Sequence, residues 1–236
     1  MSVPGRRLIT TALLVALCAA FLYQIGLLGM VVWFNFRDPS NTPIMQDTLN
    51  ALRAEDPDAR LAYEWVPYER ISTHLKRAVI ASEDSGFVDH DGVEWDAIRK
   101  AWSYNQRQAD LGRSRRRGGS TITQQLAKNL FLSNSRNYLR KGQELILTYM
   151  IEAVMSKRRI LELYLNVAQW GTATFGAQAA ARHYFHTDAA RLSSSQAARL
   201  AAMLPNPAYY DRHGVTTYLQ SHAATVRARM SQVAVP

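Results

Sequence analysis

The stretch Ala81–Gly92, ASEDSGFVDHDG, sets Glu83, Asp84, Asp89, His90 and Asp91 around a single Phe87, directly after the apolar run AVIA at 78–81. LKRAVIASED reads as an apolar helix that ends at the acid pair, which puts Glu83 at a helix terminus facing a cavity. A carboxylate partly desolvated by apolar neighbours has a raised pKa and suits general acid or base work near neutral pH. Asp84, Asp89 and His90 would hold that carboxylate or brace the turn that follows. Taken alone, the same residues also describe a solvated helix end with a charged loop.

A second constellation is RRRGGSTITQQLAKNLFLS, residues 115–133. Two glycines followed by Ser120 at a helix start let backbone amides approach an anion, with the helix dipole in support. Ser120, Gln124 and Lys128 follow at four-residue steps and so share one helix face. Such a stripe suits sugar hydroxyls or phosphate oxygens; a capped surface helix beside an arginine loop is the plainer alternative. Trp102 and Tyr104, interleaved with basic residues, keep nucleic-acid binding open on these residues alone. In SRNYLRKGQE, Arg136, Arg140 and Glu144 also stand four apart. Glu144 is either a plain ion pair worth a few tenths of a kcal/mol or the second of two carboxylates flanking a glycosidic or pyrophosphate-linked centre, as inverting glycosyl chemistry uses. His183 and His186 in ARHYFH lack a carboxylate at supporting spacing, so they are expected as packing and polar surface, and no metal site is predicted.

The elements that must carry these groups are helical. SRNYLRKGQELILTYMIEAVMS places Leu139, Ile146, Met150, Ala153 and Val154 at helical spacing. Ser156 offers an N-cap for a following helix through Leu161, Tyr164 and Leu165 that stops near Gly171. In LSSSQAARLAAMLPNP, Ser193 and Gln196 form a potential capping box and Pro205 ends the helix. TTYLQSHAATVRARMSQVA closes the chain as another amphipathic helix. Few runs alternate with period two, so the fold class is mostly α.

From Leu8 to Phe36 the chain of 236 residues has no Asp, Glu, Lys or Arg, and about 20 such residues span a bilayer as a helix. Arg6 and Arg7 precede the run, so the positive-inside rule leaves the tail 1–7 in the cytoplasm. The apolar run continues well past the small residues Cys18-Ala19-Ala20, which argues for an anchor over a cleaved signal peptide or a lipoprotein. Cys18 is the single cysteine and excludes an intramolecular disulfide. Residues 37–60, with DPSNTP and EDPD, read as a stalk carrying one short helix, and 61–236 as the working domain. The net charge of +9, less the two positives of Arg6 and Arg7, leaves +7 on the remainder, which favours an anionic partner near a membrane surface. Gly26 and Gly29 stand close together without a G-x-x-x-G dimer motif.

Taken together, the stretches resemble the peptidoglycan glycosyltransferases of glycosyltransferase family 51. Glu83, Asp84, Phe87, His90 and Gly92 match that family's EDxxFxxHxG; Gly118–Asn129 reads as GGSTITQQLxKN without departure; Arg140, Lys141 and Glu144 match RKxxE. Lys157, Ile160, Leu161, Glu162, Tyr164, Leu165, Asn166 and Gly171 follow KxxILExYLNxxxxG, and GAQAAARHYF resembles the fifth motif. The resemblance runs from about Tyr68 to Pro207, and five motifs in order are highly specific. Many members have Asp where Glu94 stands and Arg where Lys100 stands; Lys100 keeps the charge without the bidentate fork. The Arg113–Arg117 cluster is local to this chain, and no role transfers to it. With no room left for a transpeptidase domain, the chain resembles the monofunctional, membrane-anchored branch of biosynthetic transglycosylases.

The resemblance implies a lysozyme-like helical glycosyltransferase domain with a small membrane-proximal lobe, in which Trp95, Trp102 and Tyr104 would sit at headgroup depth. It implies lipid II and lipid-linked nascent glycan as substrates, the inner membrane as location with the domain periplasmic, and cell-wall synthesis or division proteins as candidate partners, with no nucleic acid. Glu83 and Glu144 are the implied catalytic pair. Lys128, Arg136, Ser120, Gln124, Gln125 and Lys100 would bind substrate or pyrophosphate; Asp84, Phe87, His90 and Arg140 would give structural support. No cofactor is certain, and assistance to pyrophosphate departure by a divalent cation, Mg or Mn, stays open. The rival readings are a lysozyme-like lytic hydrolase, which would not need the Lys128 and Arg136 set, and a non-enzymatic membrane-anchored anion-binding protein.

Overall fold

The computed structural model describes residues 3–113, 118–133 and 138–236. Arg136 and the part of the arginine cluster from 114 to 117 lie outside them. The chain divides into two compact units, Met1–Arg37 and Asp38–Pro236.

The first unit is one helix, α1 (Val3–Phe36). Its stretch Arg7–Phe36, 30 residues with mean hydropathy 2.2, is long and apolar enough to cross a membrane. At 1.5 Å per residue it extends about 45 Å, more than the ~30 Å hydrocarbon core.

The second unit is mostly helical: α2 (Pro43–Glu55), α3 (Thr73–Glu83), α4 (Trp95–Asp110), α5 (Ile122–Phe131), α6 (Tyr138–Val154), α7 (Lys157–Val167), α8 (Ala177–Phe185), α9 (Ser194–Met203), α10 (Pro207–His213) and α11 (Thr217–Arg229). Two short strands, β1 (Ala62–Tyr63) and β2 (Thr174–Phe175), pair in parallel with Ala62 opposite Thr174. Segment 37–60, read from sequence as a stalk, carries α2 with Thr42 as N-cap and Pro43 in the first turn. That helix lies against α5, its Ile44 and Met45 are buried, and it belongs to the same compact unit as the rest of Asp38–Pro236.

The core is built around α7. Ile160, Leu161, Leu163, Tyr164, Leu165, Asn166 and Val167 are all buried, while Arg158 in the first turn is exposed and Glu162 half-buried. Each of its Leu and Ile side chains contributes about 1.5–3 kcal/mol by leaving water. α5 packs against α6 and α7, while α3 packs against α9 and α11. The α3–α9 contact is close because small residues face each other there: Ala78 and Ala81 on α3, and Ala197, Ala198, Ala201 and Ala202 on α9, are all buried. The Ser193–Gln196 capping box starts α9, and Ser156 caps α7 by accepting from the Arg159 N–H, both where the sequence places them.

Two local expectations change. The buried face of α6 consists of Glu144, Leu147, Thr148 and Ile151, whereas Leu139 and Ile146 are exposed. The helix is thus rotated from the orientation its largest apolar residues suggest, because the facing surface accepts a carboxylate held by cations. Likewise α5 starts one residue later than expected: Thr121, not Ser120, is the N-cap, and Gln124 closes the capping box. α4 shows a single buried residue, Ala101, with Trp95 and Trp102 turned outward.

Gly176, the N-cap of α8, has φ +80°, and a Cβ there would stand 2.7 Å from the Asn166 carbonyl oxygen. Asn166 is itself fully buried and exchanges two hydrogen bonds with the backbone of Val66, each 2.9 Å. Substituting Gly176→Ala therefore meets both a strained φ and a fixed backbone, and is expected to destabilise the domain by about 2–4 kcal/mol, read from the urea unfolding midpoint of the full chain in detergent.

Candidate active site

Glu83 is the last residue of α3, and its side chain is half-buried. Its Oε2 accepts a 2.8 Å hydrogen bond from Gln125 Nε2, and Ser82 Oγ lies 3.4 Å from Oε1. Burial pushes its pKa up; the bonds from Gln125 and Ser82 pull it back, and the Asp84 charge adds to the rise. The result is a carboxylate bonded to neutral donors, more basic than an ordinary glutamate.

Asp84 is buried and does a different job. Its backbone N–H closes α3 on the Ile80 carbonyl, 2.9 Å away. Its Oδ2 accepts the N–H of Ile122, the first residue of α5, at 3.0 Å, so a negative charge sits at that helix N-terminus. Its Oδ1 is 2.8 Å from His90 Nε2. The bond to Asp84 raises the pKa of His90, against its partial burial. The N–H of Gly92 donates to His90 Nδ1 at 3.0 Å, and a neutral ring protonated at Nε2 satisfies both bonds at once.

The turn after Asp84 is fastened from several sides. Phe87 is fully buried, with the Lys157 ammonium 4.8 Å from its ring centroid. Lys157 Nζ donates to the His90 carbonyl at 2.6 Å and to Glu152 Oε1 at 2.8 Å, and Thr123 Oγ1 donates to the same Glu152 oxygen at 2.5 Å. Gly92 has φ +83°, and a Cβ there would meet Glu152 Cγ at 2.6 Å and Thr148 Cγ2 at 2.8 Å. Thr121 Oγ1 donates to the Gly92 carbonyl at 2.5 Å. The first two motifs are therefore stitched together at the start of α5.

On α5, Gln124 is buried and its Oε1 accepts the Thr121 N–H at 3.0 Å, which closes the cap. Gln125, half-buried, is the glutamine that reaches Glu83. Lys128 lies three residues on from Gln125, on the same side of the helix, and is half-buried. Ser120, just before the cap, accepts from Lys141 Nζ at 3.3 Å.

Glu144 on α6 is 4% exposed. Arg140 Nη1 donates to its Oε2 at 3.0 Å, and Lys141 Nζ donates to its Oε1. The chain Glu144–Lys141–Ser120 links this carboxylate to the residue preceding the α5 cap. Of the other expected site residues, Lys100 is exposed on α4, and Arg136 lies outside the described residues. His183 pairs with Asp211 at 3.0 Å, and His186, with φ +50°, caps the end of α8.

Sequence reasoning places Tyr164 in the core of α7 and gives it no further task. In the structure its hydroxyl donates to Gln125 Oε1 at 3.0 Å. A tyrosine among fully buried apolar positions needs a partner for its hydroxyl, and that requirement is the signal the sequence offers.

The Transglycosylase family model matches residues 50–231. The biosynthetic peptidoglycan transglycosylase of Bordetella pertussis is 65% identical over 230 residues, covering 98% of this chain and 95% of that protein. Its namesake from Azoarcus sp. (strain BH72) is 53% identical over 225 residues, 95% of each chain, and that from Herminiimonas arsenicoxydans is 49% identical over 231 residues, 98% of each. With the helical, lysozyme-like domain and the motif geometry described above, these matches lead to one conclusion: the chain belongs to the transglycosylase family and is a peptidoglycan glycosyltransferase.

Proposed function

We propose that this enzyme polymerises glycan chains from lipid II, with Glu83 as general base. The observation that carries this reading is the half-buried Glu83 carboxylate at the end of α3, raised in basicity by burial and held by a neutral amide. A sugar hydroxyl is a weak nucleophile, and a positioned carboxylate of raised pKa removes its proton as attack proceeds.

In this reading the growing glycan, on its undecaprenyl pyrophosphate, is the donor, and the GlcNAc 4-hydroxyl of lipid II is the acceptor. The hydroxyl oxygen bonds to the donor anomeric carbon while the bond from that carbon to the pyrophosphate oxygen breaks. The proton passes to Glu83, and the electron pair leaves with undecaprenyl pyrophosphate. Attack from the opposite face gives a β-1,4 bond with inversion. Lys128 and Arg136 stabilise the departing charge. Glu144 holds Arg140 and Lys141 in place beside Ser120, which supports an orienting role. The apolar helix α1 anchors the chain once in the cytoplasmic membrane with Arg6 and Arg7 inside and the domain outside, where both substrates are tethered, which raises the effective concentration of one for the other.

Labelled lipid II in detergent tests the chemistry. Wild-type protein is expected to form long glycan, and Glu83→Gln to lose about 10²–10⁴-fold in rate while folding normally. Undiminished polymerisation by Glu83→Gln would remove the general-base assignment, and digestion of intact sacculi by the wild type in place of polymer formation would convert the reading to a lytic one. Glu144→Gln, which leaves two cations without their shared carboxylate, is expected to lower kcat by at least about tenfold, since a lost bond to a charged group is worth ~1.5–3 kcal/mol.

A further inference from the structure

We propose that Tyr164 is a positioning residue for the glycosyl transfer, its buried hydroxyl fixing which end of the Gln125 carboxamide faces Glu83. The inference rests on the general-base reading of Glu83 and adds to it the device that keeps the base competent.

A glutamine amide has an accepting and a donating end, and the two directions are nearly isosteric. Here Tyr164 Oη lies 3.0 Å from Gln125 Oε1, and Gln125 Nε2 lies 2.8 Å from Glu83 Oε2. The carboxamide oxygen carries no hydrogen, so the tyrosine must be the donor of that first bond. Turning the amide over would leave the Tyr164 O–H facing an NH2 group. Tyr164 is 1% exposed, and among the described residues its hydroxyl has the Gln125 oxygen as its acceptor. A buried hydroxyl without an acceptor is costly, so the flipped arrangement is disfavoured from the tyrosine side. The NH2 end is thereby committed to Glu83, where it favours the ionised carboxylate. The reversed amide would present an oxygen to Glu83 and favour the protonated acid, which cannot accept a proton from the sugar hydroxyl.

The bond from Gln125 lowers the Glu83 pKa against the rise that burial imposes, with Asp84 the charge acting on it. The charged groups on the surrounding elements are left in place by changes at Tyr164. Lys128 is on α5, one turn from Gln125; Lys157 on α7 is engaged with Glu152. On α9, Arg199 lies over the Phe185 ring, and on α11 Arg227 donates to Ser195 while His222 stacks on Tyr218. A change in the titration of Glu83 caused by Tyr164→Phe therefore reports the amide.

The test is the pH dependence of kcat/KM for lipid II polymerisation by full-length wild type, Tyr164→Phe, Gln125→Met, the double variant and Glu83→Gln. Tyr164→Phe is expected to move the acid limb up by about one pH unit, a loss on the order of tenfold below the limb that closes at high pH. Gln125→Met is expected to move it in the same direction, and the double variant no further than Gln125→Met alone, because the tyrosine acts through the glutamine. A loss that is uniform across pH, with the limb unmoved, would overturn the inference even where Glu83→Gln is inactive. If Tyr164→Phe fails to fold, an unmoved limb in Gln125→Met overturns it as well. An active Glu83→Gln would instead sink the general-base reading, a separate result.

Discussion

The carboxylate of Asp84 sits at the junction on which the rest of the site depends. A charge with almost no exposure costs several kcal/mol unless its oxygens are bonded, and both oxygens of Asp84 are: one to His90, the other to the first N–H of α5. Those two bonds join the end of α3, the turn 84–92 and the start of α5 at one point. Glu83 occupies the position immediately before that junction, and Gln125 the fourth position of α5 immediately after it. The 2.8 Å bond between them is a consequence of where the two helices are pinned. The charge also sits where the α5 dipole favours it, so the same residue is satisfied by hydrogen bonding and by the field of the helix it caps.

The carboxylates Glu83 and Glu144 stand in opposite environments. Glu144 is buried between two cations and kept there by i,i+3 and i,i+4 spacing on α6. Glu83 accepts from an amide and a hydroxyl, and its strongest perturbation is desolvation. Both oxygens of Glu144 are engaged by cations, whereas Glu83, desolvated beside neutral donors, is raised in basicity. The two environments come from spacing along two different helices, α3 and α6.

Much of this was legible in the sequence, and what was not has a physical reason. The helix ends, caps and motif residues follow from local chemistry: Glu83 closes a helix, Ser156 and Ser193 cap theirs, and Asp84 and His90 brace the turn. Which of two adjacent glutamines reaches Glu83 was not legible. The cap at Thr121 makes Gln124 the third helical residue, where its side chain returns to the cap. Gln125, about 100° further round the helix, is the one that reaches Glu83. The face of α6 failed for a related reason. Hydrophobic periodicity assumes that the facing surface is apolar, whereas α6 buries a paired glutamate and a threonine and leaves Leu139 exposed. Segment 37–60 reads as a stalk by its Pro and Asp content, yet Ile44 and Met45 give α2 enough apolar surface to stay buried with the domain.

The second half of α7 is buried in the core, and polar groups on two of its stripes reach different neighbours. Lys157 and Tyr164 are seven residues apart, hence nearly eclipsed. Lys157 holds the turn after Glu83 through the His90 carbonyl, and Tyr164 holds the partner of Glu83 through Gln125. Glu162 and Asn166, four apart on another stripe, hold the segment leading into α3: Glu162 accepts the Tyr68 N–H at 2.8 Å and Asn166 binds Val66 through both its amide atoms. One stripe therefore fixes the immediate surroundings of Glu83, and the other fixes the approach of the helix that bears it. Both stripes belong to a single helix whose apolar residues are packed in the core, so the surroundings of Glu83 are tied to that core.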